Sequence, residues 1–514
     1  MFKGHPKGLL AAGIANMGER FGFYTMMAIL VLFLQAKFGL SGTDAGIIYS
    51  VFYFSIYILA FVGGLIADRT RNYKGTILIG LIVMAVGYFI IAFPTPTPVP
   101  NKILFLSLSL FGLFAIAFGN GLFKGNLQAL VGQMYDNPQY SSMRDSGFSL
   151  FYMFINVGAL FAPIAAVGIR NWWLSANGFL YNPDLPGLAH AYLENKITPE
   201  ALQKLTELAS QVTLNGAVGD ISVFVNNYLN VFTTGFHYAF AISIFAMLVS
   251  LFIYLLNKKN FPDPAEKKKK SDDTKENIPS IEMDPQEVRQ RLYALFAVFG
   301  VVIFFWFSFH QNGLTLTYFA KDFTDLTALK LNLGIISLEG AEIFQSINPL
   351  FIVLLTPIVM ALFGWLRAKN LEPSTPKKIA IGMFIAAMAY LLMTIGSLGL
   401  PLKSEVVAMG GLNPAERVTP WLLVGTYFIL TVAELFISPL GISFVSKVAP
   451  PKYQGIMQGG WLGATAIGNQ LLFIGAILYE NVPLWLTWLV FVIACLLSML
   501  TMIIMLKWLE RVAK

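Results

Sequence analysis

A single cysteine, Cys495, stands in 514 residues, so the chain can form no internal disulfide and no cysteine-rich metal site. Histidine is almost as scarce, and its four copies are dispersed, which leaves no His/Cys cluster with zinc-binding spacing. Charge is thin as well. Asp, Glu, Lys and Arg make up 12% of the chain, about half the share of a soluble domain. No phosphate-cradling glycine loop and no nucleophile motif occur. The sequence therefore argues against an enzyme and implies no cofactor and no metal.

What fills the chain is apolar. Hydrophobic residues are 56% of it and the mean hydropathy is +0.66, the composition of a polytopic membrane protein. A helix needs about 20 apolar residues to cross a bilayer. Runs of that length lie near 8–36, 45–67, 76–94, 103–131, 147–169 and 236–257, then near 290–318, 343–366, 377–398, 419–446, 455–479 and 484–508. The first begins just after Met1 to His5, is too long for a signal-peptide core and lacks a small-residue cleavage pattern, so it reads as a helix.

The net charge of +7 would suggest nucleic acid in a soluble domain. Here the bases sit in alternate short loops: Lys3 and Lys7, Arg69, Arg71 and Lys74, Arg144, Lys258 and Lys259, Arg367 to Lys378, Lys447 and Lys452, Lys507 to Lys514. That bias predicts a multi-pass protein of the inner membrane with both termini cytoplasmic, surrounded by membrane lipids and binding no nucleic acid.

The expected organisation is five helices of an N-terminal bundle in 1–169, an extracytoplasmic insertion at 170–235, the sixth helix at 236–257, a cytoplasmic linker at 258–289 and a C-terminal six-helix bundle at 290–514. The linker carries Lys267 to Lys270 and Asp272-Asp273, with too little apolar content to pack a core. It reads as a plain spacer ahead of an anionic-lipid contact. In the insertion, Thr198-Pro199-Glu200 forms an N-cap, an N1 proline and a first-turn acid, and Leu202, Leu205, Ala209 and Val212 follow at helical spacing. A second amphipathic segment is expected from Asp220 to Leu229. The insertion has two readings, a brace on the outer face or a domain that binds a protein partner.

Two sets of six helices suit a major-facilitator architecture, in which the halves rock about a central site. Gly63-Gly64-Leu65-Ile66-Ala67-Asp68-Arg69-Thr70-Arg71 is similar to that superfamily's loop motif. By that resemblance Gly64 permits close helix approach, and Asp68 and Arg69 latch neighbouring helices.

Few charges fall inside the apolar runs: Glu19 and Arg20 in helix one, Lys124 in helix four, His310 in helix seven and Glu434 in helix ten. Intramembrane ionisable groups usually mark a substrate or ion path. With six-helix repeats, helix four corresponds to ten and one to seven, and such helices face each other across the cavity. Lys124 and Glu434 should then present opposite charges to one space, suiting a zwitterion; the alternative pairs each with a neighbouring helix. Glu434 precedes Ser438-Pro439 and Gly441, a helix interruption of the kind that binds ligand in transporters. Glu19 and Arg20 are adjacent, so their side chains diverge by about 100° and should not simply neutralise each other; either one faces Lys124 and the other the cavity, or the two belong to a structural network within the helix. His310 titrates near neutrality when unperturbed; a proton-linked role and a neutral hydrogen-bonded one both fit.

These residues carry a likeness to a known family. Gly119 to Asn126 resembles the helix-four motif of the proton-coupled oligopeptide transporter family, and Arg144-Asp145-Ser146-Gly147 through Asn156-Val157-Gly158 resembles its helix-five signature. Glu19-Arg20-Phe21, Phe344 to Pro349 and Glu434 to Pro439 extend the likeness over both halves.

The resemblance implies an all-α membrane protein with the major-facilitator fold, importing di- or tripeptides with protons by alternating access. It implies that Lys124 and Arg20 face the peptide carboxylate, that Glu434 receives the amino terminus and that Asn156 and Asn348 bond the peptide backbone. Tyr24 and Tyr57 would line the amino-terminal half of the site and Trp461 a side-chain pocket, with Ser438 beside Glu434. Glu19 with Arg20, and His310, would handle the proton, with the proton gradient as driving force. The chain departs from the family pattern at Asn16, Phe23, Met27 and His310. Three of these changes remove an ionisable group, which leaves open a carrier for another amphoteric solute, or a receptor or assembly subunit that does not transport.

Overall fold

The structure, a computed structural model, describes residues 4–70, 72–140, 143–214, 218–262, 283–332, 337–450 and 453–512. Arg71, the linker run Lys267 to Lys270 and Asp272-Asp273 lie outside the described residues.

The N-terminal half is built from α1 (Lys7–Phe38), α2 (Gly42–Thr70), α3 (Tyr73–Ala92), α4 (Lys102–Met134), α5 (Arg144–Ala176) and, after two short helices α6 (Leu185–Leu193) and α7 (Pro199–Val212), the long α8 (Ile221–Asn257). The C-terminal half contains α9 (Pro285–Phe309), α10 (Thr315–Phe323), α11 (Ile347–Ala368), α12 (Thr375–Gly396), α13 (Lys403–Met409), α14 (Trp421–Val448), α15 (Gln454–Gln470), α16 (Leu472–Asn481) and α17 (Leu484–Val512). A two-residue hairpin, β1 (Leu331–Asn332) with β2 (Ser337–Leu338), lies between α10 and α11. Among the described residues, twelve helical stretches are long and apolar enough to cross a membrane, so the chain is a multi-pass membrane protein. Their outer faces expose Phe89, Phe111, Phe245, Met360 and Ile504, the apolar belt that a lipid surround demands.

Local chemistry sets the helix ends. Asn72 caps α3 by accepting from Gly75 N–H at 2.8 Å, and Asn101 caps α4 by accepting from Leu104 N–H at 3.0 Å. α1 stops at Gly39, whose left-handed backbone (φ 59) returns its N–H to Gln35.

Within the N-terminal half α1 packs on α5 and α8, and α4 crosses α2 and α3. The α2–α4 crossing is a backbone contact. A Cβ on Gly121 would strike Leu59 O, and one on Gly63 would strike Gly121 O. Close approach is thus made at Gly63; Gly64 faces open space, against the sequence expectation. Asp68 accepts from Tyr73 O–H on the next helix.

Three boundaries also differ from expectation. α5 runs on to Ala176 and α8 starts at Ile221, so the insertion reduces to residues 177–220. Asp220 caps α8 by accepting from Ser222 N–H at 2.8 Å, so the segment expected at Asp220–Leu229 is the first part of α8 and not a separate helix. α9 begins at Pro285, within the stretch read as linker. α7 forms as expected, with Thr198 Oγ accepting from Ala201 N–H at 3.1 Å and Leu205, Ala209 and Val212 buried, though Leu202 is exposed.

The halves meet firmly at the insertion end. Glu480 on α16 accepts from the N–H groups of Gly42 and Thr43 at 2.6 and 3.0 Å, capping α2 from across the interface. Tyr318 on α10 donates to Gly42 O at 2.8 Å.

Candidate functional site

Between the halves lies a cavity of about 340 Å³. Helices α1, α2, α4 and α5 wall one side, and α9, α11, α14 and α15 the other. The structure brings Arg20, Tyr24, Tyr57, Lys124, Asn156, His310, Asn348, Glu434, Ser438 and Trp461 into the lining of this one cavity. Glu19, Gly64, Asp68 and Arg69 are not in it.

Lys124 comes from the stretch of α4 just past the glycine crossing, so backbone contact with α2 fixes its height and direction. Its ammonium lies over the Tyr57 ring, 4.8 Å from the centroid, an arrangement that favours a cation. Across the cavity, Glu434 accepts from Asn348 Nδ2 at 3.0 Å, and the same amide bonds Thr431 Oγ at 3.0 Å. Among the described residues neither Lys124 nor Glu434 has an ion-pair partner. The reading that pairs each with a neighbouring helix therefore fails. Two opposite charges face one space, uncompensated by protein.

Arg20 and Glu19 do neutralise each other, contrary to the divergence argument. The arginine side chain is long enough to fold back along α1, and its Nε and Nη2 donate to the two Glu19 oxygens at 2.5 and 2.7 Å. Asn120 Nδ2 adds a third donor to Glu19 at 2.5 Å. Glu19 is thus held behind the wall by α1 and α4, and only Arg20 reaches the cavity.

His310 opens a 3₁₀ turn (His310–Gly313) where α9 ends. Its ring lies between Tyr53 of the other half, 4.6 Å between centroids, and Trp306, at 4.8 Å. Nδ1 is 2.5 Å from Asn469 Oδ1. α14 stays helical through Pro439, so no interruption opens at Ser438. Asn156, on the cavity wall, donates through Nδ2 to Tyr152 O at 3.1 Å. Trp461 is buried against Gly441, where any Cβ would collide with the indole.

Sequence reasoning missed much of the wall, notably Tyr49, Tyr53, Tyr152, Gln345 and Thr465. Tyrosines inside apolar runs carry no signal that separates a cavity face from a packed one. Asn16, Trp306 and Ser438 line the cavity, and among the described residues Asn16 Nδ2, Trp306 Nε1 and Ser438 Oγ are buried without a hydrogen-bond partner. The arrangement can hold a small molecule bearing an anion at one end and a cation at the other, with neutral polar groups and aromatic rings between.

The chain matches the model of the POT family at residues 74–282 and 265–484. It is 28% identical over 492 residues to the peptide transporter YePEPT of Yersinia enterocolitica, covering 91% of this chain and 87% of that protein. It is 27% identical over 503 residues to a di-/tripeptide transporter of Lactococcus lactis, covering 91% and 89%. Among solved structures, a peptide transporter POT aligns over 100% of this chain and 97% of its own, with TM-score 0.71 and 23% identity. A POT family transporter in complex with 5-aminolevulinic acid aligns with TM-score 0.70 and 23% identity, over 100% and 98%. The fold is thus the major-facilitator fold of those transporters.

Proposed function

This chain belongs to the POT family, and from that premise we propose that it imports di- and tripeptides with protons, by alternating access of its two halves across the inner membrane. The observation that carries the reading is the pair of uncompensated charges, Lys124 and Glu434, on opposite walls of one cavity. A short peptide is a zwitterion. Its carboxylate meets Lys124, steadied by the Tyr57 ring, and its ammonium meets Glu434, which Asn348 orients. Each contact is worth more in a partly dry cavity than in bulk water. Asn156 and Ser438 bond the backbone between them, Tyr24 lines the α1 side, and Trp461 walls a side-chain pocket.

The proton enters through the same groups. Arg20 reaches the cavity while clamped to Glu19, so a peptide carboxylate that attracts Arg20 loosens its hold on Glu19 and raises that carboxylate's appetite for a proton. His310, held between rings from both halves, is a second proton carrier and stands where the family carries an acid. Both termini lie in the cytoplasm, and Asp68 and Arg69, in the last turn of α2, steady it against α3 during rocking.

The test is uptake of labelled dipeptide into proteoliposomes with an imposed proton gradient. Saturable, acid-stimulated uptake is expected from the natural protein and none from Lys124→Ala or Glu434→Ala. Undiminished uptake by both variants would refute the assigned site.

A further inference from the structure

A second cavity, of about 300 Å³, lies apart from the central one, between α6 and α7 of the insertion and α10 and α13 of the C-terminal half. That volume is at the small end of those that hold ligands. Part of its rim is set by close backbone contact. α13 ends at Gly410-Gly411, both with left-handed backbone (φ 79 and φ 107). A Cβ on Gly410 would crowd Ala201 Cα of α7 at 3.0 Å, and one on Gly411 would meet Asp184 at 2.8 Å. Thr198 Oγ donates to Ala408 O at 2.6 Å and ties the start of α7 to the last turn of α13.

The charges around this cavity do not balance. Asp322 on α10 is shared by two lysines, with Lys403 Nζ 2.7 Å from one oxygen and Lys321 Nζ 3.4 Å from the other. Tyr479 on α16 donates to the same carboxylate at 3.0 Å, and Lys321 donates to Gln35 on α1 at 3.1 Å. Asp184, also in the lining, is taken by Arg417 at 2.6 Å. Lys196, largely exposed, is paired with Glu194 at 2.7 Å. Lys321, Lys403, Arg417 and Asp322 all act on Asp184, so three cations share one space with two acids and one ammonium is left over. Neither lysine stands free in water, since each side chain is 19% exposed. Burial pulls the Lys403 ammonium below its ordinary value, and Asp322 offsets only part of that loss. A further anion would offset more.

The rest of the lining narrows the choice of anion. Leu188 and Ile197 of the insertion and Val406 of α13 give it an apolar part, which chloride or phosphate would leave uncovered. A peptide would bring an ammonium group as well, and both acids that could receive it are already engaged. We propose that this cavity binds a small monocarboxylate with a short apolar body, its carboxylate between Lys321 and Lys403 and its body on Leu188, Ile197 and Val406. One such anion completes the charge balance, and each contact with a lysine is stronger in a half-buried place than in bulk water. The ligand touches the insertion and the C-terminal half together, so its binding slows the local opening of α6, α7 and α13.

Butyrate is the probe. It is titrated into purified protein and followed by saturation-transfer NMR, with Lys124→Ala as the parent so that the central cavity offers it no unpaired lysine. Saturable binding is expected in that parent. Lys403→Gln and Lys321→Gln should each weaken it roughly tenfold. Either change also unsettles Asp322, so Ile197→Trp supplies an independent check: it fills the cavity, keeps every charge and should abolish binding. In the natural protein butyrate should slow amide hydrogen exchange in α6, α7 and α13, and Ile197→Trp should remove that protection. No saturable binding, equal affinity in Lys403→Gln and Ile197→Trp, or displacement of butyrate by equimolar chloride, phosphate or alanyl-alanine would overturn the proposal. None of these readouts involves uptake, so the site stands or falls apart from the transport reading.

Discussion

At the residue scale, the account turns on how few groups carry the anionic end of the solute. Met27 is buried on the cavity wall at one of the positions where the chain departs from the family pattern, and Arg20 is already clamped by Glu19. On the proposed reading Lys124 therefore acts nearly alone. Removing one partner of a buried charge contact typically costs 2 kcal/mol or more, about thirtyfold in Kd. Lys124→Ala should lower dipeptide affinity by at least roughly that factor, read by titration calorimetry or by loss of ligand-induced thermal shift. Met27→Arg should tighten binding in the natural background and restore part of the affinity in Lys124→Ala. No rescue would mean that the carboxylate does not sit between α1 and α4.

At the element scale, two features give predictions that do not depend on substrate. The α2–α4 crossing tolerates no side chain at Gly121, where a Cβ would meet Leu59 O. Overpacking of this kind costs about 1–3 kcal/mol, so Gly121→Val should lower the melting temperature in detergent. Gly64→Ala, facing open space, should leave it unchanged. The second feature is the α11–α12 turn. Glu372 takes hydrogen bonds from Arg367 Nε at 2.6 Å and Lys378 Nζ at 2.6 Å, and these hold its carboxyl at about 2 against an ordinary 4.5. A depressed carboxylate contributes stability that is present above the ordinary value and is lost as pH falls from about 4.5 toward about 2. Melting temperature measured against pH should show that loss, and Glu372→Gln should flatten it. The screening of a largely solvated turn keeps the effect small.

At the scale of the whole molecule, the membrane architecture was legible because a bilayer imposes long apolar runs, and these stand out without an alignment. Lys124 and Glu434 were legible for a related reason, since a charge inside such a run is conspicuous. What resisted reading has physical causes. The Glu19–Arg20 clamp depends on a side chain folding back over its neighbour, which helical spacing does not describe. The insertion looked longer than it is because α5 and α8 are long helices whose ends carry polar residues such as Arg170, Asn171 and Asn230. Tyr53 and Gln345 reach the cavity only through the way the halves dock. The same docking makes the buried Arg170–Glu342 ion pair, whose members lie far apart in sequence and become partners only where the halves meet.

The central claim is that Lys124 and Glu434 hold the two ends of one zwitterionic peptide, and a binding cycle tests it most directly. Titration calorimetry would compare a dipeptide, its N-acetyl form and its C-terminal amide against the natural protein, Lys124→Ala and Glu434→Gln. Each blocked peptide should lose affinity for the natural protein, the N-acetyl form should lose little further in Glu434→Gln, and the amide little further in Lys124→Ala. Independent, additive losses in every combination would contradict the account.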